Sequence, residues 1–235
     1  EPYKDGKPVY FQDKKSGEYI ISDKRERSVP NYDSRFLSLL PRMWSPDGKQ
    51  RSHYKRWSNF EGKPIRYRGA DGQTKVINTP TMGENLTFLF NYQLNWMYWR
   101  YFMWNFSGRQ NDIQGHGNVT NGNWISGIPF IDEMRLGTQE DLPDFIAESP
   151  ANNRYYMLPL ILGLLGFVFH LVNDRKDGFI VFLLFFFTGI AIVLYLNQYP
   201  LQPRERDYAY AGSFYAFAIW IGLGVYALID GISKQ

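Results

Sequence analysis

The chain has 235 residues, a formal net charge of +3 and an aromatic content of 18%. So small a charge over this length leaves no electrostatic footprint for nucleic acid. With no cysteine, the chain has no disulfide, no thiol nucleophile and no thiolate metal site. Seven Trp, 17 Tyr and 18 Phe suit a protein with a membrane interface, where rings sit among the headgroups. Of the charged residues, 38 lie in residues 1–150 and 11 in residues 151–235, so a polar part precedes an apolar one. The sequence opens at Glu1 without a basic-plus-apolar leader and reads as part of a longer chain.

In chain order, Val9-Tyr10-Phe11 and Tyr19-Ile20-Ile21 flank a polar, Gly-containing turn and predict a hairpin. Asp33 is placed to cap a short helix, Ser34 to Leu40, stopped by Pro41. Residues 42–82 are polar and broken by Gly and Pro. They predict short strands near Pro64–Tyr67 and Thr74–Ile77, turning at Gly69-Ala70-Asp71-Gly72. Leu86 to Phe106 is an aromatic helix long enough to cross a bilayer but interrupted by Asn91, Gln93, Asn95 and Arg100. It is expected to lie at the membrane surface or against other helices, with a true span as the alternative.

Three transmembrane spans are expected after Ala151: residues 155–172, 179–199 and 213–229. Gly163, Gly166, Gly222 and Gly224 would let neighbouring helices approach closely. The expected fold class is therefore membrane α-helical. Three transmembrane helices (domain 151–235) follow an irregular α+β extramembrane domain (1–150) that carries the aromatic interfacial helix 86–106. Two spans separate that domain from the loop after residue 199, so both share a side, taken as periplasmic on a thin margin of basic residues.

Two stretches carry candidate chemistry. In Tyr199 to Ser213, four consecutive charges, Arg204, Glu205, Arg206 and Asp207, fall where the chain enters or leaves the membrane. Charge there is costly unless it pairs, reaches water or serves a purpose. The structural reading is a self-neutralising rim. The functional one is a headgroup or phosphate site, because an arginine fork matches phosphate oxygens. In the Gly-rich loop Gly108–Gly127, the side chains of Arg109, Gln110, Asn111, Asp112, Gln114 and His116 suit a hydroxyl-rich ligand, with Trp124 to stack on a sugar face. Here the structural reading is a loop whose polar groups satisfy one another. Three histidines in the whole chain argue against a His-rich metal site, and no Rossmann, P-loop or Gly-x-Ser-x-Gly fingerprint is present. No cofactor is expected.

The runs Tyr98–Phe106, Gly108–Gly115, Gly122–Gly127 and Gln202–Phe214 together resemble a group of large bacterial inner-membrane proteins of unknown function. That group is related to the protein O-mannosyltransferases. The resemblance implies a glycosyltransferase of the GT-C superfold, which moves a sugar from a polyprenyl-phosphate donor to a periplasmic acceptor. The implied partners are membrane lipid, the lipid-linked sugar, and a protein acceptor or other envelope proteins. In that family the catalytic acidic residue is expected in an early loop upstream of the region matched here, so no catalytic residue is placed in this chain. The alternative is a non-catalytic membrane scaffold or subunit of a larger envelope complex.

Overall fold

A computed structural model describes residues 2–43, 45, 47–69, 71–139 and 142–234. The chain forms two compact units, residues 1–41 with 61–82, and residues 42–60 with 83–235. Residues 83–150 therefore belong to the same unit as the apolar helices.

The first unit is built of two-stranded antiparallel ribbons. β1 (Tyr3–Lys4) pairs with β4 (Val29–Pro30), and β2 (Val9–Gln12) pairs with β3 (Tyr19–Asp23). The β2–β3 turn closes where Asp13 N–H donates to the Glu18 carbonyl. Asp33 does cap a helical turn, accepting from Arg35 N–H, but only over Ser34–Phe36. β5 (Lys63–Arg68) and β6 (Thr74–Thr79) form the third ribbon, in register from Lys63↔Thr79 to Arg68↔Thr74. Of its turn, Ala70 lies outside the described residues. Every residue of β2 and β3 is exposed, the apolar Val9, Phe11, Ile20 and Ile21 included. Backbone ladders, rather than a side-chain core, hold these ribbons.

The second unit opens with α1 (Gly48–Ser58), which the polar composition of residues 42–82 did not predict. Asp47 caps it by accepting from Lys49 N–H, and Asn59 closes it in the left-handed region. Its buried Tyr54 packs on Phe88 at 4.5 Å between ring centroids. The aromatic segment is a continuous helix in three parts: α2 (Met82–Phe88), wide π-type turns over Leu89–Trp99, and α3 (Arg100–Phe106). The wide turns end where Arg100 N–H bonds the Asn95 carbonyl five residues back. Of the two placements expected for this helix, packing against other helices is the one observed. Phe88, Leu89, Tyr92, Met97, Tyr98 and Tyr101 to Trp104 are buried and make the spine of two adjoining cores.

After the helix, β7 (Gly108–Arg109) pairs with β8 (Asn153–Arg154), and Arg109 also bridges to Trp124. Between them lie α4 (Pro129–Leu136) and α5 (Asp144–Ala147). The apolar helices are α6 (Leu158–Asn173), α7 (Arg175–Thr188), α8 (Ile190–Leu196) and α9 (Ala211–Ser233).

The expectation of a three-span membrane α-helical fold does not hold. The protein is mixed α/β, with helices and small two-stranded sheets. Among the described residues two helices are long and apolar enough to cross a membrane: Arg175–Leu196, interrupted at Gly189, and Asp207–Ser233. The segment expected at 155–172 is helical only over 16 residues. At ~1.5 Å per residue that is about 24 Å, short of a hydrocarbon core of about 30 Å. Tyr156 and Met157, both at positive φ, hold its start outside the helix. The segment expected at 179–199 starts earlier, because Asp174 caps it through Lys176 and Asp177 N–H, and stops earlier, at Asn197. Only 11% and 28% of the most apolar windows of the two long helices are buried, unlike the core helix of a soluble protein. They mark the chain as membrane-associated.

α6 and α9 pack backbone to backbone. A Cβ on Gly166 would strike the Trp220 carbonyl, and one on Gly224 the Leu162 carbonyl. Gly222 faces open space and takes no part.

Candidate functional site

The segment from Asn197 to Asp207 is held by carbonyls that receive side-chain donors. Asn197, at φ 42°, turns the chain out of α8. Gln93 Nε2 donates to Asn197 Oδ1 (2.9 Å) and to the Gln198 carbonyl (3.0 Å), and Arg42 Nη1 donates to the same Asn197 Oδ1 (2.9 Å). Tyr92 Oη donates to the Tyr199 carbonyl (3.2 Å), and Gln114 Nε2 to the Gln202 carbonyl (2.8 Å). Four polar side chains from three stretches of sequence thus fix a loop with no ladder of its own.

At its centre stands Glu205. Arg100 grips the carboxylate with both terminal nitrogens, Nη2 to Oε2 at 2.8 Å and Nη1 to Oε1 at 3.2 Å. Tyr101 Oη donates to the same carboxylate, as does Gly115 N–H. Burial alone would raise the Glu205 carboxyl, but the hydrogen bonds and charge of Arg100, with Tyr101, outweigh it and hold it below its ordinary value. Arg100 is 3% exposed and Glu205 17%, so the pair is largely desolvated. Arg100 does more than pair. It donates to the Gly122 carbonyl (2.8 Å) and the Trp96 carbonyl (2.8 Å), and its guanidinium lies 4.2–4.5 Å from the ring centres of Trp96, Tyr101 and Trp104. One cation therefore joins the aromatic helix, the Gly-rich loop and the Glu205 loop.

The four charges do not form a rim among themselves. Glu205 turns inward to Arg100. Arg206 is half-buried; its N–H donates to Tyr101 Oη (3.1 Å), and its Nε is buried with no hydrogen-bond partner among the described residues. Asp207 is exposed and starts a helical turn. Arg204 is exposed and makes no ion pair among the described residues. It lines a cleft with His53, Trp57, Trp96, Gln114 and His116. The enclosed volume, about 20 Å³, has room for about one water molecule, so a larger group can only sit at the mouth.

The Gly-rich loop spends most of its expected binding groups on itself. Gln110 donates to the Val119 carbonyl (3.0 Å) and accepts from Asn123 Nδ2 (2.9 Å). Asn111 Oδ1 accepts from Gly122 N–H (3.0 Å). Arg109 donates to the Asn111 carbonyl (2.8 Å) and lies over Trp104. Asp132 in α4 clamps the loop's end, accepting from Ser126 N–H and Gly127 N–H at 2.8 Å each. Asp112 and His116 remain exposed. One face of Trp124 is taken by the Arg135 guanidinium, 3.4 Å from its ring centre.

Sequence reasoning missed Arg100 as a site residue, although a lone arginine in an aromatic 21-residue run calls for a partner. It also missed Arg135 and Arg56, whose setting depends on the path of the loop. Among the described residues no group of three His, Asp or Glu is placed to hold a metal ion.

A family described only as a family of unknown function (DUF8416) matches residues 1–90 of the chain. No curated protein and no solved structure matches it.

Proposed function

We propose that this chain is the donor-binding part of an integral-membrane glycosyltransferase of the GT-C type, acting at a bacterial inner membrane. The sugar arrives on a polyprenyl phosphate and leaves for a periplasmic acceptor. The observation that carries the reading is Arg204. It is an exposed cation without an ion-pair partner among the described residues, three residues ahead of the helix Asp207–Ser233, and it lies at the mouth of a cleft walled by Trp57 and Trp96. A lipid-linked phosphate would reach the same depth, and the guanidinium fork would take its oxygens. In this reading Glu205 is a positioning residue. It binds no ligand, and through Arg100 it keeps Arg204 facing the cleft. The resemblance over Tyr98–Phe106 and Gln202–Phe214 supports the sugar chemistry.

The test is binding of a polyprenyl-phosphate hexose to the protein in lipid nanodiscs, with free polyprenol as control. Arg204→Ala should weaken the phosphate ligand at least tenfold and leave the protein in the membrane. Unchanged affinity would sink the reading. A second reading, a non-catalytic envelope scaffold, is favoured by how completely Gln110, Asn111 and Glu205 are used within the protein. It predicts that the lipid-linked sugar does not bind at all.

A further inference from the structure

On the other side of Arg100 lies a larger space that the donor reading does not use. Two open clefts meet at Asn95 and Gly117. One, of about 300 Å³, runs on to Asn118, Trp124 and Arg135. The other, of about 250 Å³, runs on to Asn91, Trp57 and Arg56. Sharing Asn95 and Gly117, the two lie side by side along the polar stripe of the wide-turned helix and are taken together as one groove; the larger is at the size where small-ligand sites begin.

Gly117 lets the loop pass close against the Trp57 ring in the middle of this groove. It sits at φ +90°, and a Cβ there would strike the Trp57 ring. Asn91 and Asn123 spend their amide nitrogens within the protein, on Trp57 and on Gln110, but two other amides of the groove have groups to spare. Asn95 is exposed and its side chain has no hydrogen bond among the described residues. Asn118 commits its Oδ1 to Thr120 and to Asn121 N–H, which leaves its amide nitrogen available.

Each end carries a cation that makes no ion pair among the described residues. Arg56 is exposed on α1 and makes no ion pair among the described residues. Arg135 is half-buried, stacked on Trp124 and, among the described residues, bonded only to the Trp124 carbonyl (3.1 Å). The acid whose charge acts on it, Asp132, directs its hydrogen bonds to Ser126 and Gly127. Burial lowers the Arg135 guanidinium to about 10, outweighing the opposing charge of Asp132, and an incoming anion would add to that opposing charge.

We propose that this groove binds an acidic oligosaccharide, with its hydroxyls on Asn95 and Asn118, its ring faces along Trp57 and Trp96, and its acid groups on Arg56 and Arg135. Unpaired amides suit hydroxyls, which both donate and accept. Indole walls cover the apolar faces of pyranose rings. Two forks at the ends match carboxylates or phosphates set apart along a chain. The inference does not rest on the transferase reading, since none of these residues except Trp57 and Trp96 touches the Arg204 cleft.

The test is titration of the protein in nanodiscs with trigalacturonate, maltotriose and inorganic phosphate. Trigalacturonate should bind at least tenfold more tightly than either of the others. Arg56→Gln and Arg135→Gln should each weaken it about tenfold and leave maltotriose unchanged, while Asn95→Ala should weaken both sugars. Arg56 and Asn95 are exposed, so their variants should unfold at the wild-type temperature even if Arg135→Gln does not. No binding of trigalacturonate at millimolar concentration would overturn the proposal. So would equal binding of maltotriose, phosphate binding as tight as the trisaccharide, or wild-type affinity in Arg56→Gln together with Asn95→Ala.

Discussion

The ribbons of residues 1–41 and 61–82 and the loops at 108–127 and 197–207 solve the same problem in opposite ways. In the ribbons, backbone groups answer backbone groups, and the side chains, even apolar ones such as Val76 and Ile77, stand in solvent. In the loops almost no ladder exists. Buried side chains, Gln93, Arg100, Gln110 and Asn111, answer the carbonyls and amides that a ladder would have used. A buried backbone group left unanswered costs about as much as a lost hydrogen bond. Side-chain identity should therefore matter greatly in the loops and little in the ribbons.

The strongest way to break this contrast is Arg100→Ala. It strands the Glu205 carboxylate and frees the Gly122 carbonyl at one stroke. Breaking one partner of a buried pair costs about 3–5 kcal/mol, so the expected outcome is loss of that much stability in denaturant titrations, or no folded protein. A change under 1 kcal/mol would show that the pair is ornamental.

A smaller effect follows from acid. The Glu205 carboxyl is held below its ordinary value in the folded state, so its stabilisation is present above the usual glutamate range. That stabilisation is lost as pH falls below about 4.3. Melting temperatures measured from pH 6 to pH 3 should fall for wild type and fall less for Glu205→Gln. Parallel curves would remove Glu205 from the account.

The smallest effect belongs to the ribbons. Val76 is 60% exposed, and Val76→Thr should shift stability by less than about 0.5 kcal/mol. A larger loss would mean that the ribbon faces carry weight after all.

Much of the ribbon architecture was legible, because alternation and turn residues are local signals. Val9–Phe11 with Tyr19–Ile21, and Pro64–Tyr67 with Thr74–Ile77, pair as their patterns predict. Helix α1 was not legible from composition, for its stretch is polar and only Asp47 and the spacing of Tyr54 and Trp57 betray it. The first expected span, 155–172, failed on length, which depended on the backbone at Tyr156 and Met157 rather than on apolarity. The residues of the Arg204 loop were legible as an anomaly, but their partners were not. Nothing local says that Glu205 will find Arg100, 105 positions earlier, rather than Arg204 or Arg206 beside it.

That separation has a consequence for how the chain is made. The β2–β3 hairpin needs no contact further than its own turn and can close as soon as it emerges. Arg100 and Tyr101 cannot. The carboxylate they hold is synthesised 105 residues after Arg100 and 104 after Tyr101, a wait of about 5–20 s at ordinary elongation rates. For that interval the aromatic helix carries an unmatched cation, and the Gly-rich loop lacks the tie from Glu205 to Gly115. The second unit can reach its final form only after Arg175–Leu196 has been delivered and the chain has come back to meet it.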